Sequence, residues 1–346
     1  MRLRRADCLL CEFMGTRARI TNAISRRSCL VSSDLLRAIA QLDDDLDDCT
    51  ARSALQTQEA VYALIRAHVL LEVGSAMDQS DREHFEKWKF GLPSLSLAFG
   101  HDPLAPVSWP VRTARLRERL GHMPALQLDH EADDQTLHLP PPAPQASELI
   151  AIMSRRRSCR AFDDRAISAE QFSAVAFAAA GRTGTYSDRI LGTHPLTTSP
   201  SGGARNPFEL FVIIDRIESV PSGNYFYDGR GCLHPVAGRR LDLSRVTGDQ
   251  PWFGSAAAAI VLVGWPDRTW SKYPQPRAFL SFVVEAGHRA QNALLAATAA
   301  GLGGCVTLNV ASEVSKEAFG LDPVDHPAFY LIALGRPKAT VTQAAG

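Results

Sequence analysis

The segment FLSFVVEAGHRAQNALLAATAAGLGG, Phe279 to Gly304, carries apolar residues at three- and four-residue steps: Phe279, Phe282, Val283, Ala286, Ala290, Ala293, Leu294 and Ala297. That period predicts a helix, and one of this length runs roughly 30 Å, the width of a domain. Much of its remaining surface is Ala or Gly, so another helix or a second subunit can approach closely. A polar stripe crosses it: Glu285, His288, Arg289 and Asn292 stand three and four apart and share a face. Gly301, Gly303 and Gly304 then end it, as helix C-termini prefer. Taken alone, this is equally a core helix with one solvated stripe; the rest of the chain has to decide whether the stripe marks a site.

The chain has 346 residues, which suggests two domains. Its 45% apolar and 21% charged residues are ordinary globular composition, enough for a large core. Net charge is zero, so the chain as a whole has no electrostatic footprint for nucleic acid or an anionic membrane. No apolar run reaches the ~18 residues of a membrane helix. The opening, MRLRRADCLLCEFMGTR, is basic but its apolar patch is too short for a signal peptide. Seven scattered cysteines favour a reducing cytoplasm. Cys8-x-x-Cys11 lacks a second close pair, so no metal site is expected.

Two strands are expected within Leu9–Ser32, then a helix from Leu35 capped by Ser33-Asp34, a second helix from Gln58 to Leu70, and a strand start at Leu70–Gly74. Strands and short helices of this kind suggest a small winged-helix-like domain. The acidic run Asp43–Asp48 reads as a solvated loop. Between Ser80 and His138 the pattern weakens, although Trp88, Phe90, Phe99 and Trp109 imply packing, and Arg112–Leu120 suits an exposed helix. The run from Leu139, LPPPAP, can continue neither helix nor central strand and reads as a stiff linker. The expected division is therefore 1–138, linker 139–146, and 147–346.

Two motifs in the last part carry chemistry. SRRRSCRAF, Ser154–Phe162, packs four arginines and two serines into seven residues. Guanidinium forks and hydroxyls match phosphate oxygens, although a solvated basic loop looks the same. PSGGARNP, Pro200–Pro207, places two glycines where backbone N–H groups can approach a planar or anionic ligand, and leads into a strand from Phe208 to Asp215. Alone it is a turn; beside the arginine-serine cluster it points to a phosphorylated cofactor. The spacing is neither G-x-G-x-x-G nor a P-loop. Ser168 caps a helix through Ala180, and further strands are expected at Gly223–Asp228, Ala257–Trp265, Cys305–Asn309 and Ala328–Leu334, a mixed sheet interleaved with helices.

Together these motifs resemble the nitroreductase-fold FMN flavoproteins, and within them the SagB-type azoline dehydrogenases. The match lies in RRSCRAF, PSGGARNPFEL, the NYFYD strand, Lys272-Tyr273 and the helix EAGHRAQNALLAATAAGLGG, over about Ser147 to Lys338. The resemblance implies an α+β fold with a central sheet wrapped by helices and a homodimer formed through the long helix. It places FMN between subunits. Arg156, Ser158 and Arg160 hold its phosphate and ribityl chain, with Arg336 a second basic contact. Pro200, Ser201, Gly202 and Asn206 line the isoalloxazine. Gln291 and Asn292 lie near flavin or interface, and Leu308 and Asn309 present a backbone N–H to N5. Pro274-Gln-Pro276 departs from the family's usual glycine and arginine-rich run, and the extra Arg155 shifts the first motif's register by up to one residue.

The activity implied is oxidation of a thiazoline or oxazoline in a modified peptide to the azole, with Lys272 and Tyr273 as the proton-accepting pair and oxygen reoxidising the flavin. A lysine shielded from water by aromatic surface is a competent general base, whereas the plainer reading of Ser-Lys-Tyr-Pro is a surface turn. The partners implied are an azoline peptide and a cyclodehydratase that makes it; residues 1–138 serve as a peptide-binding region. The alternatives are an NAD(P)H-dependent nitro- or quinone reductase of the same fold, and a non-catalytic peptide-binding subunit.

Overall fold

In the computed structural model, the residues described are 1–42, 46–98, 114, 144–189, 192–247, 250–311 and 314–338. Of the expected helix at 112–120 all but residue 114 falls outside them, as do residues 139–143 of the expected linker 139–146 and residues 43–45 of the acidic run; residues 144–146 of that linker open a helix instead. The chain divides into two compact units, residues 1–102 with 157–346, and residues 103–156. The second contains helix α6 (Pro144–Arg155). The expected cut at 139–146 stands as a proposal.

The N-terminal region is built from short elements. Strand β1 (Arg2–Arg5) pairs antiparallel with both β5 (Leu46–Asp47) and β6 (Leu70–Glu72). Strands β2 (Leu9–Met14), β3 (Arg17–Asn22) and β4 (Ser28–Ser32) form a second sheet in that order, three strands where two were expected. Three helices accompany them: α1 (Ser33–Ala40), α2 (Asp48–Leu55) and α3 (Gln58–Arg66). Each starts on a short polar cap, Ser32, Asp47 and Thr57, whose side chain accepts a backbone N–H three residues on. Helices and short strands alternate here in the order α1-β5-α2-α3-β6. Leu3, Ile20, Ile39, Val61, Leu64 and Leu70 fill its core.

Helices α4 (Ala76–Lys87) and α5 (Leu92–Ala98) follow. Sequence patterning gave little notice of them because α4, AMDQSDREHFEK, is nearly all polar. It is held by charge. Buried Arg4 pairs with Asp78 and, at 2.7 Å, with Asp81, and the Asp81 carboxylate also accepts the backbone N–H groups of Asp7 and Cys8. Burial alone would raise the Asp78 carboxyl; the Gly74 N–H and Arg4 outweigh it and hold the group below the usual carboxylate range.

The larger sheet runs β11-β10-β9-β12-β14-β13: Leu233–Pro235, Gly223–Tyr227, Phe208–Ile214, Ala258–Gly264, Ala328–Gly335 and Gly303–Thr307. Its named strands pair antiparallel throughout, and among the described residues parallel pairing enters through two isolated bridges, Ser158 with Gly304 and Ile167 with Ile217. β12 reads as an unbroken apolar run because both faces are covered. Ala258, Ile260 and Leu262 meet the core shared with α7 (Ala169–Ala180) and the central helix, α9 (Ala278–Ala299). Ala259, Val261 and Val263 meet Phe253, Val314 and Phe319 on the other side. α7 opens on a capping box formed by Ser168 and Gln171. A hairpin of β7 (Arg182–Asp188) and β8 (Gly192–Thr197) has no counterpart in the sequence reading, since its exposed, polar residues give no alternation.

The helix predicted from Phe279 spans 278–299, short α8 (Pro266–Trp270) precedes it, and α10 (Val314–Phe319) follows β13. Trp88, Phe90 and Leu95 are buried in the same core as Phe279, Phe282 and Ala286. The N-terminal region and the sheet domain thus share apolar interior. Ala290 faces that interior at 2% exposure. The face of α9 left open carries Leu280, Val284, Gly287 and Gln291.

Candidate active site

The polar stripe on α9 organises the Gly-rich loop. Glu285 and Arg289, 3% and 2% exposed, pair at 3.0 Å across one helical turn. Arg289 also donates to Asn206 Oδ1 at 3.1 Å. Asn206 is fully used within its surroundings: Oδ1 accepts from Thr197 and Arg289, while Nδ2 donates to the carbonyls of Pro195 and Ala204. Its own N–H donates to Ser201 Oγ. The Asn206 side chain therefore shapes the loop rather than facing a ligand. Asn292 does similar work, donating to Thr198 O and Ser199 Oγ.

This anchoring sustains an unusual backbone. Gly203, Ala204 and Asn206 all have left-handed φ values, 62°, 57° and 45°. For the two that are not glycine that conformation is unfavourable and has to be imposed by surrounding contacts. Two side chains close over Gly203: a Cβ there would lie 2.5 Å from the Tyr273 hydroxyl and 2.8 Å from Lys272 Nζ. At Gly202 a Cβ would run into Ser281 Oγ. Pro200 and Gly202 remain exposed and Ser201 half-buried.

Lys272 and Tyr273 therefore face the same glycine. They sit in a turn after α8, where both backbone N–H groups return to Thr269 O. Lys272 Nζ lies 3.3 Å from Gly203 O and 5.7 Å from the Tyr273 ring centre. Behind them, Arg268 bonds Asn206 O and Glu209, and Arg205 bonds Arg268 O and Ser271 Oγ. These arginines were not singled out in the sequence, where nothing distinguishes them from surface charge. The Glu285–Arg289 pair was visible, as an i,i+4 spacing.

A second cluster gathers at the β13 edge. Ser158 bridges Gly304, and the Cys159 N–H donates to Gly304 O, so the first motif runs beside β13 as a partial strand. Ser158 and Arg160 are exposed, Arg160 with its guanidinium 5.9 Å from the Trp252 ring centre. Behind them, burial raises the Cys305 thiol above its ordinary range, opposed in part by Arg160's charge and the Ser158 hydrogen bond, so it is no thiolate nucleophile. The Arg336 carbonyl accepts the Asp163 N–H, while its Nε is committed to Ala166 O. Leu308, 57% exposed, and Asn309 follow β13. Arg156 belongs to the unit 103–156, where its N–H closes the last turn of α6. Among the described residues no group of three His, Cys, Asp or Glu is placed to hold a metal ion, and no helix is long and apolar enough to cross a membrane.

The donor sets fit a phosphorylated planar cofactor: exposed hydroxyl and guanidinium at one edge, a glycine cradle at the other. They flank the open face of α9 from opposite sides. Asn292 meets the Gly-rich loop and Leu294 packs at Gly304, and at 100° per residue these positions point about 160° apart with the open face between them.

Residues 153–336 match the model of the nitroreductase family, over half of the chain, and the chain belongs to that family of oxidoreductases. It is 27% identical over 152 residues to the trifolitoxin-processing protein TfxB of Rhizobium leguminosarum bv. trifolii, a match covering 42% of this chain and 41% of TfxB. It is 26% identical over 206 residues to MJ1384 of Methanocaldococcus jannaschii, named for the nitroreductases, covering 58% of this chain and 97% of that one. Among solved structures it is similar to a chain of the E. coli microcin synthetase McbBCD complex with truncated pro-MccB17 bound, at 20% identity and a TM-score of 0.48, over 65% of this chain and 82% of that one.

Proposed function

We propose that this protein is an FMN-dependent dehydrogenase that oxidises azoline rings of a modified peptide to azoles. The observation that carries the reading is the convergence of Lys272 and Tyr273 on Gly203 of the Gly-rich loop. Azoline oxidation removes a proton from the ring carbon next to the carbonyl and a hydride from the neighbouring carbon. FMN, when bound, supplies the hydride acceptor, and oxygen returns it to the oxidised form. The chain's own share is to hold the cofactor through Arg156, Ser158, Arg160 and the loop from Pro200, and to accept the proton at Lys272 Nζ or the Tyr273 hydroxyl. Asn206, Asn292 and the buried Glu285–Arg289 pair keep the loop in place. The trifolitoxin-processing role given in TfxB's name fits action on a biosynthetic substrate; on this reading the substrate is a peptide, with residues 1–138 as its reader and a cyclodehydratase as the enzyme upstream.

The test is direct. The purified protein should release about one FMN per chain, and an azoline peptide should lose two hydrogens by mass on incubation in air. Rapid NAD(P)H oxidation without azoline turnover would assign the chain to the reductases instead. A colourless protein that still bound the peptide would make it a non-catalytic subunit.

The homodimer belongs to the same proposal. A flavin touching both donor sets needs them adjacent, and within one subunit the ridge Leu280, Val284, Gly287 and Gln291 stands between them. A second copy packed on that ridge brings its Gly-rich loop beside the first copy's Ser158. Val284→Arg should therefore give a monomer that has lost its flavin, because an unpaired charge in a packed contact is costly. A yellow dimer from size-exclusion chromatography of that variant would place the interface elsewhere.

A further inference from the structure

We propose that Phe90 is a positioning residue for the Lys272–Tyr273 pair, an inference that rests on the base assignment above. Phe90 is 1% exposed and lies far from the pair in sequence, yet it meets the segment that carries them. Its ring stands edge-on to Trp270, centroids 5.7 Å apart and planes at 87°. Trp270 ends α8, two residues before Lys272. On the other side of the pair the Gly91 backbone approaches Pro276, near enough that a Cβ added at Gly91 would lie 4.0 Å from that ring. Consecutive residues of the N-terminal region thus bracket residues 270–276 from both ends.

The bracket is itself fixed. Phe90 packs on Phe279 and Phe282 at 5.6 and 6.3 Å, and Trp88 packs edge-on against Phe279 at 5.9 Å, all at the start of α9. The Trp88 indole donates to Ser94 Oγ, which donates to Gly91 O and closes the turn between α4 and α5. Gly91 adopts φ +85°, a conformation glycine supplies freely. At the end of α4, Lys87 bonds Asp322 at 2.6 Å and Asp325 at 3.2 Å, tying the segment to the loop before β14. By contrast, the 270–276 segment relies internally on turn hydrogen bonds, Tyr273 N–H to Thr269 O and Gln275 N–H to Tyr273 O. Its placement against Gly203 is set from outside, and Phe90 is the part of that frame that reaches it through an aromatic contact.

The experiment compares Phe90→Leu with Leu95→Val in the full-length flavoprotein. Both trim the same core, but Leu95 belongs to α5, which packs beside β2. Phe90→Leu should keep its flavin and bind a short azoline substrate with unchanged KM. Its kcat should fall, on the order of 10²-fold for a displacement of about an ångström, and peptides covering 268–278 should exchange amide hydrogens faster. Leu95→Val should leave kcat and that exchange as in the wild type. Trp270→Phe cuts the same contact from the loop side and should reproduce the kcat loss even where Phe90→Leu folds poorly. Unchanged exchange over 268–278 in both Phe90→Leu and Trp270→Phe, or an equal kcat loss in Leu95→Val, overturns the positioning role. Faster exchange with wild-type turnover, together with an active Lys272→Ala enzyme, overturns the base assignment instead.

Discussion

Lys272→Ala and Tyr273→Phe should each keep flavin and fold yet lose azoline oxidation by about 10²–10⁴-fold, the usual contribution of a positioned general base. Both side chains reach the same point above Gly203 while lying in a turn whose backbone bonds run to Thr269, so neither substitution removes a contact that holds the core. The measurement is loss of two hydrogens per azoline in single-turnover mixtures, with photoreduction of the flavin as control. Photoreduction uses no substrate proton and should proceed at the wild-type rate. If both variants turn over azoline as the wild type does, the proton goes elsewhere. If one falls and the other does not, the active base is that residue and its neighbour only shapes the site.

Arg289→Met should destabilise the protein by about 3–5 kcal/mol, the range for removing one partner of a buried ion pair. The cost arises because Glu285, 3% exposed, stays behind as a carboxylate with its partner gone. The double variant Glu285→Leu/Arg289→Met removes both charges and should recover most of the denaturant midpoint. It should not recover the flavin, because Asn206 Oδ1 has still lost the Arg289 hydrogen bond that holds the left-handed run at Gly203, Ala204 and Asn206. Urea unfolding and flavin released per chain separate the two effects. A double variant that is both stable and fully yellow would show that the loop holds its shape without α9.

What could be read in advance follows from how local each signal is. The 3.6-residue period of α9, the Ser168–Gln171 cap and the apolar run of β12 are written in consecutive residues, and each appears within a few residues of its expected place. α4 was not legible, because a helix held by Arg4 from 74 residues away needs no apolar stripe of its own. The site divides the same way. Lys272, Tyr273, Ser201 and Gly202 stand out as motif residues. By contrast, the committed hydrogen bonds of Asn206 and the support from Arg205 and Arg268 depend on approach of distant segments. Phe90 could be guessed as buried from its type, but its contact with Trp270 spans most of the chain and leaves no mark in either neighbourhood.

The shared interior of the N-terminal region and the sheet domain bears on how this protein could be recombined with its relatives. A chimera that exchanged residues 1–75 would part Arg4 from Asp78 and Asp81, stranding buried charge on both sides of the joint. One that exchanged 1–90 would deliver a foreign side chain to the pocket made by Trp270, Phe279 and Phe282. Residues 1–98 and 157–338 therefore have to be inherited as one block. Any new property of the N-terminal region has to evolve, or be engineered, by substitution on its surface rather than by shuffling it as a cassette.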